Sequence, residues 1–437
     1  MEVANFHSAL TITPRTADSQ WLTSQASKNF VLVLPDGTTL HVDVKVKDSS
    51  GLRSNDFIQI TIWLNHNLIE QGKSNGTNKG DSEAERLKRP VAGLLEPNHF
   101  PLVIQCQPPK PKYKTAEEEP DDNTPAMRAS RHAIGQIETE KLQNVAPEQL
   151  LATIWVQLYV MMSLLPGEEA FNVVLGHQDE AIDAAKILIG AGLAMKHPIN
   201  SAGGDLNGSM VLCSRAAFWQ TMYPFRQSPW LMGQGSNSLT SSGLPHPTSY
   251  TITRNIYHPQ RPIKHTISDG TLYTRYILEL GETLTFEVAS SKDDAFVKKF
   301  TEWHNSDRVS AGWRQKGSEA DQRRYLQEVE RSEGTIGLVG KWNGQPWGYM
   351  EIYWAKESNI GPFYEAGDYD RGFHALVGEE HFRGPHRVRT WMGSIIHMLF
   401  LMDVRTQRVV LEPRASNHKM INYAQMCGGH VEKVSRI

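Results

Sequence analysis

The residues able to do chemistry gather between 335 and 427. His374 stands in an apolar run, RGFHALV over 371–377, that reads as a strand. An imidazole near neutrality can take a proton from a nucleophile or hold it by hydrogen bond, and the alternative is a structural histidine on a central strand. Glu351 lies between Tyr349 and Tyr353, an expensive place for an unpaired carboxylate. It either recognises the amino-acid end of a substrate or assists His374, or else it pairs with an arginine such as Arg371. Beyond His374, the loop EHFRGPHRV over 380–388 leads into Val388, Trp391, Met392, Ile395, Ile396, Leu399 and Phe400, which recur at amphipathic helical spacing. The amides that open such a helix carry partial positive charge, and Arg383, Gly384 and Arg387 stand where an anion would be cradled. A strand, basic loop and helix could also serve a dinucleotide, but GxGxxG and GxxxxGKS are both absent. Seventeen histidines show no HxxxH or HExxH spacing, so no metal is expected.

The elements that position these groups follow from the same stretch. Residues 335–341 form a strand, Asn343-Gly344 is a strong hairpin turn, and 346–354 returns. The two-residue period puts Tyr349, Glu351 and Tyr353 on one face and Met350, Ile352 and Trp354 on the other. His374 and Leu376 oppose Phe373, Ala375 and Val377. A buried strand is expected over 408–412, with Ser416 or Asn417 capping a last helix. Strands near 271–279 and 283–288 meet at Gly281, and a helix covers 296–303. Upstream, 30–34 and 39–44 make a hairpin through Asp36-Gly37, 57–63 is a strand, 147–165 a helix, 171–175 a strand, 179–195 a helix, 210–212 a strand and 216–223 a helical turn. The stretches 71–88 and 107–126 read as surface connections, and the Gly/Ser-rich 233–248 as a crossover.

With 437 residues the chain is too long for one ordinary core. Two domains are expected, 1–240 and 250–437, in an α+β fold of two similar halves, each a mixed, splayed sheet flanked by helices. The formal charge of −3 gives no global field for nucleic acid. Three cysteines without a CxxC pair argue against a disulfide framework or a thiolate zinc site. No apolar run is long enough for a membrane span, and the opening residues lack the pattern of a secretory signal.

The C-terminal segment resembles the siderophore-biosynthesis branch of the GNAT acyltransferases, which acylate hydroxylysine and hydroxyornithine. The matching stretches are WHNSDRV over 303–309, GYMEIYW over 348–354, GPFY over 361–364, DRGFHALVG over 370–378, FRGP over 382–385, RTQRVV over 405–410 and EPR over 412–414, with HPQRP over 258–262 just ahead. Coverage is about 255–430. The long N-terminal half points to the fungal hydroxyornithine transacylases, built of two GNAT-like halves. The loop departs from the usual Q/R-x-x-G-x-G/A pattern, and Pro385 donates no N–H. The family pattern also runs on past 431–437 into another strand.

The resemblance implies an acyl-CoA N-acyltransferase that transfers an acyl group, anhydromevalonyl by overall likeness, to N5-hydroxy-L-ornithine. Acetyl-CoA is the near alternative as donor. The acyl-CoA is a cosubstrate, with no permanently bound cofactor. Catalytic roles fall on His374, Glu351 and Tyr423, the last as donor to the leaving thiolate. Cofactor contacts fall on Val377 and Gly378, through strand amides at the thioester carbonyl, and on Arg383, Gly384, His386, Arg387, Val388 and Asn417. Substrate contacts fall on Trp303, His304, Tyr353, Trp354, Glu412 and Arg414, with core packing or ion pairing as the alternative for each. Trp303, His304, Trp313 and Trp354 could together form an aromatic wall, with core packing as the alternative for each. Cys427 has no histidine in register to activate it. The N-terminal half is expected to be non-catalytic and to shape the acceptor cleft or a homodimer surface. Other readings are a GNAT enzyme for an aminoglycoside or lysine, and a non-catalytic scaffold of a siderophore peptide synthetase. Nucleic-acid and membrane partners are not expected. Cytoplasm or peroxisome is the expected place, although Ser435-Arg436-Ile437 is not an SKL-type tag.

Overall fold

The computed structural model describes residues 28–47, 57–64, 100–107, 133–137, 146–165, 170–175, 179–196, 210–220 and 264–435, with isolated positions at 95, 230, 248–249, 252–253, 256–257, 259 and 261–262. The expected connections over 71–88, and most of 107–126 and 233–248, lie outside the described residues. The chain divides into two compact units, Met1–Arg226 and Gln227–Ile437.

The first unit is an eight-stranded sheet. Its strands are β1 (Lys28–Val33), β2 (Thr39–Lys47), β3 (Phe57–Leu64), β4 (Leu102–Gln107), β5 (Ala133–Ile137), β6 (Ala170–Leu175), β7 (Met195–Lys196) and β8 (Met210–Ser214), in the order β1-β2-β3-β4-β5-β6-β8-β7. Asp36-Gly37 turns the first hairpin, with Gly37 at φ 85° and Val33 opposite Thr39. Leu40, Val42 and Val44 are buried while His41 is exposed, the alternation of a strand with one covered face. Only β5 and β6 run parallel, bridged by α1 (Pro147–Leu164), whose residues 151–162 are all buried. The next helix, α2 (Asp179–Gly190), stops five residues short of the expected end. Gly192 at φ 75° closes it, its N–H donating to the carbonyl of Ile189, and Leu193 donates to that of Leu188, so 195–196 is free to join the sheet. A short α3 (Arg215–Gln220) ends the described part of this unit.

The second unit begins with four two-residue strands, β9 (Thr248–Ser249), β10 (Ile252–Thr253), β11 (Ile256–Tyr257) and β12 (Arg261–Pro262). Its main sheet has six strands in sequence order: β13 (Thr271–Ile277), β14 (Glu282–Val288), β15 (Thr335–Trp342), β16 (Gln345–Trp354), β17 (Arg371–Val377) and β18 (Val409–Val410). Asn343 and Gly344 both take positive φ, 46° and 80°, as a type I′ turn requires. Between β14 and β15 lie α4 (Asp294–Asn305), α5 (Asp307–Trp313) and α6 (Glu319–Arg331), started by Asp293, Ser306 and Ser318 as side-chain caps. They cover one face of the sheet, where Phe300, Trp303 and Leu326 meet Val339, Tyr349 and Leu376. The long helix α7 (Pro385–Met402) buries Val388, Trp391, Met392, Ile395, Met398 and Leu399, with Trp391 lying 5.4 Å from Trp347 between ring centroids. A final helix, α8 (His418–Met426), contacts α7.

All neighbours in this sheet are antiparallel except β17 and β18, which pair in parallel for two residues only, Arg371 with Val409 and Gly372 with Val410. The expected strand over 408–412 is therefore cut short, because β18 leaves its partner where the sheet splays. Pairing stops two residues before His374.

Candidate active site

Glu351 lies directly opposite His374 in the β16–β17 register, so both side chains share the face covered by α4–α6. The Nδ1 of His374 is 3.3 Å from Glu351 Oε2, and its Nε2 is 2.7 Å from Glu412 Oε1. Glu412 arrives from the chain just beyond β18, so the parting of the two parallel strands sets the distance between the two groups. The side chain of His374 is 44% exposed, that of Glu351 8% and that of Glu412 21%, which leaves the imidazole as the open member of the cluster.

Phenols hold both carboxylates. Tyr325, from α6, donates to Glu351 Oε1 at 2.5 Å, and Tyr349 donates to the same atom at 3.1 Å. Tyr353 donates to both oxygens of Glu412, at 2.8 and 2.6 Å. It reaches them by lying across Gly372, where a Cβ would come within 2.4 Å of its ring. Burial, then the neighbouring carboxylate charge, pushes all three phenols well above their ordinary range, so they serve as donors and not as bases. For His374, burial works against the charged ring, but hydrogen bonds to Glu351 and Glu412 and their negative charges outweigh it and raise the group to about 9.

The candidate anion-binding end is the mouth of α7. Gly384 sits at φ 137°, with the His386 ring against it where a Cβ would approach to 2.6 Å. Pro385 has no N–H, so the first-turn amides still to be satisfied are those of His386 and Arg387. The Val388 amide donates to the Gly384 carbonyl and its side chain is in the core, so Val388 supports the loop. Gly378 donates to the Trp347 carbonyl, and strand alternation then turns the Val377 amide toward the splay. Of the two amides expected at a thioester carbonyl, that of Val377 faces the freed edge of β17 and that of Gly378 is already bonded.

Several expected ligand contacts have other duties. Arg387 makes two contacts to Glu282 on β14, at 2.5 and 3.2 Å, and its guanidinium lies over Trp342 and Phe382, so it clamps the loop to the sheet. Arg383 remains exposed, paired only with Glu380, whose other oxygen accepts from Arg308. Arg308, which sequence reasoning did not single out, also donates to the carbonyls of Val377 and Gly378 and so fixes the end of β17. Trp303 is a core residue, packed on Gly378 and donating to Glu379 at 3.0 Å. His304 is fully buried and donates to the Phe300 carbonyl, and burial lowers its pKa. Trp354 lies on the opposite face of β16, with the guanidinium groups of Arg261 and Arg371 over its ring at 4.2 and 4.0 Å. Arg414 spans to the carbonyls of Ala311 and Gly312 at the end of α5. Asn417 caps α8, accepting from the Met420 amide. Tyr423 lies on α8 and takes no part in the hydrogen-bonded cluster around His374. Trp313 does meet that cluster, 6.2 Å from His374 between ring centroids with the planes near perpendicular.

Tyr325, a donor to Glu351 in this cluster, is a further residue that sequence reasoning missed. Its helix is polar, with only Gln322 and Leu326 buried, so no apolar stripe announces it. The available signal was the capping box of Ser318 and Asp321, followed by Tyr325, Leu326 and Val329.

Residues 293–437 match the acetyltransferase (GNAT) domain family. The chain is 35% identical over 327 residues to the hydroxyornithine transacylase SID3 of Ajellomyces capsulatus, covering 71% of this chain and 73% of that protein. It belongs to the hydroxyornithine transacylase family of GNAT acyltransferases. As a member, it is an acyl-CoA N-acyltransferase with an acyl-CoA cosubstrate. The N(5)-hydroxyornithine:cis-anhydromevalonyl coenzyme A-N(5)-transacylase SIDF of Beauveria bassiana is 33% identical over 315 residues, covering 65% of this chain and 68% of that one. The N(6)-hydroxylysine O-acetyltransferase of Escherichia coli is 36% identical over 214 residues, covering 49% of this chain and 62% of that one. Among solved structures, the aminoglycoside acetyltransferase AAC(6')-Ib with coenzyme A is 23% identical, covers 33% of this chain and 83% of that one, and has a TM-score of 0.30.

Proposed function

We propose that this acyltransferase transfers an anhydromevalonyl group from coenzyme A to the N5-hydroxylamine of N5-hydroxy-L-ornithine, forming a hydroxamate. The observation that carries the reading is the hydrogen-bonded run Glu351–His374–Glu412 where β17 and β18 part, in a chain related over most of its length to hydroxyornithine transacylases. A hydroxylamine nitrogen is far less basic than an alkyl amine, so it arrives neutral and needs orientation and proton transfer more than strong activation. The diphosphate of the coenzyme would rest on the amides of His386 and Arg387 beside Arg383. Its thioester would lie along the freed edge of β17, with the carbonyl oxygen near the Val377 amide.

Purified protein incubated with N5-hydroxyornithine and each donor tests the reading through the ferric colour of the hydroxamate. Faster turnover with anhydromevalonyl-CoA supports it. Faster turnover with acetyl-CoA replaces the donor. Preference for ornithine over hydroxyornithine, or no coenzyme A release with either donor, rejects the acceptor or the activity.

A further inference from the structure

Both ring nitrogens of His374 face carboxylate oxygens, Glu351 on the Nδ1 side and Glu412 on the Nε2 side. A neutral imidazole has one N–H and one lone pair, and a lone pair aimed at a carboxylate is repelled. The ring that satisfies both contacts carries two N–H groups and is an imidazolium. Its surroundings agree from every side. Glu351 on β16 already accepts from Tyr325 of α6 and Tyr349, and Glu412 accepts from Tyr353. Trp313 of α5 adds no charge, its ring plane at 82° to that of His374, and His304 of α4 is buried with its charged form disfavoured. An imidazolium cannot accept the proton of an attacking nitrogen.

We infer that His374 is the acid of the transfer, protonating the departing coenzyme A thiolate, and that Glu412 is the base that receives the proton of the attacking nitrogen. This rests on the acyl-transfer reading above and assigns its two proton steps. The nitrogen lone pair forms the N–C bond while the carbonyl electrons move onto oxygen. The N–H proton passes to the Glu412 carboxylate. A protonated Glu412 no longer holds the Nε2–H of His374, which is then released toward sulfur. As the carbonyl reforms, the C–S bond breaks, its electron pair stays on sulfur, and the sulfur takes that proton. Glu412 then returns its own proton to the neutral Nε2 across their 2.7 Å contact, which restores the starting state. Every proton is accounted for between two residues, and Tyr423 is not needed as the donor.

A leaving group that needs no proton separates the two roles. The acyl group that the wild type transfers is offered as an N-acetylcysteamine thioester and as a thiophenol thioester, whose leaving thiolate is far less basic. His374→Gln should lose about a hundredfold or more in kcat/KM with the alkyl thioester and recover most of that loss with the aryl thioester. Glu412→Gln should be impaired to the same extent with both. Equal impairment of His374→Gln with both donors, or rescue of Glu412→Gln by the aryl thioester, overturns the assignment. Where a variant does not fold or the wild type rejects the short donors, the alkaline limb of the wild-type profile with acyl-CoA decides. Activity falling as the imidazolium is lost supports the acid role, and activity rising there contradicts it. A wild type that forms no hydroxamate from any donor refutes the acyl-transfer reading itself, a result distinct from either outcome.

Discussion

A carboxylate as buried as Glu351 survives only because its oxygens are bonded, and here three donors converge on it: two phenols and the His374 ring. Removing one leaves the charge under-satisfied. Tyr325→Phe should cost about 1–3 kcal/mol in chemical denaturation and lower kcat more than it raises the KM for acyl-CoA. An unchanged kcat would show that Tyr325 is only packing. Proton linkage gives a second test. The folded-state pKa of His374, about 9, lies above the ordinary histidine value, so its contribution to stability is complete below about 6.5 and is lost as pH rises through 9. Wild-type Tm should therefore fall relative to His374→Gln between pH 7 and 10, and parallel Tm curves would contradict the ion pairing. The sequence made Glu351 and His374 legible as strand residues of opposite charge type, because side-chain alternation depends only on neighbours in the chain. The family resemblance named Glu412 as a substrate contact but not its bond to His374, which depends on where a parallel partner departs, and the sequence hid Tyr325, which sits on a polar helix.

At the level of elements, the proposed site depends on a strand that stops early. β18 pairs for only two residues, and the freed edge of β17 then runs past His374 to the loop that opens α7. The loop is held from three directions, by Arg308 on the carbonyls of Val377 and Gly378, Arg387 on Glu282, and Trp303 on Gly378. These contacts separate two arginines that looked equivalent in sequence. Arg383→Gln should raise the KM for acyl-CoA about tenfold, the equivalent of ~1.4 kcal/mol, with little change in Tm. Arg387→Gln should do the reverse, lowering Tm because Glu282 loses its partner while leaving the KM within a few-fold. An equal KM effect from both would place Arg387 on the coenzyme after all. The hairpin at Asn343-Gly344 and the long helix α7 were readable because each carries a strong local signal. The helix α6 was not, since its exposed face dominates its composition. The early end of α2 was also missed, because Gly192 closes that helix through a left-handed turn that apolar spacing does not register.

Across the whole chain, the two units repeat one device. Each main sheet contains a parallel pair bridged by an 18-residue helix with proline in its first turn. The helices differ at the end that would meet a diphosphate. That of the first unit carries Glu148 in its first turn, whereas α7 carries His386, Arg387 and Arg389 in and beside its own. One coenzyme should therefore bind per chain, and isothermal titration should give a stoichiometry near one; a value near two would assign a working site to the first unit. Two halves with a shared order of strands and helices were expected from the sequence, whereas the difference in charge between the two helix mouths rests on single residues. The most direct test of the account is amide hydrogen exchange with and without coenzyme A. Protection confined to the freed edge of β17 and to the amides of His386 and Arg387 is the expected footprint. Protection that spares 373–388 while appearing elsewhere in the chain would contradict the placement of the coenzyme beside His374.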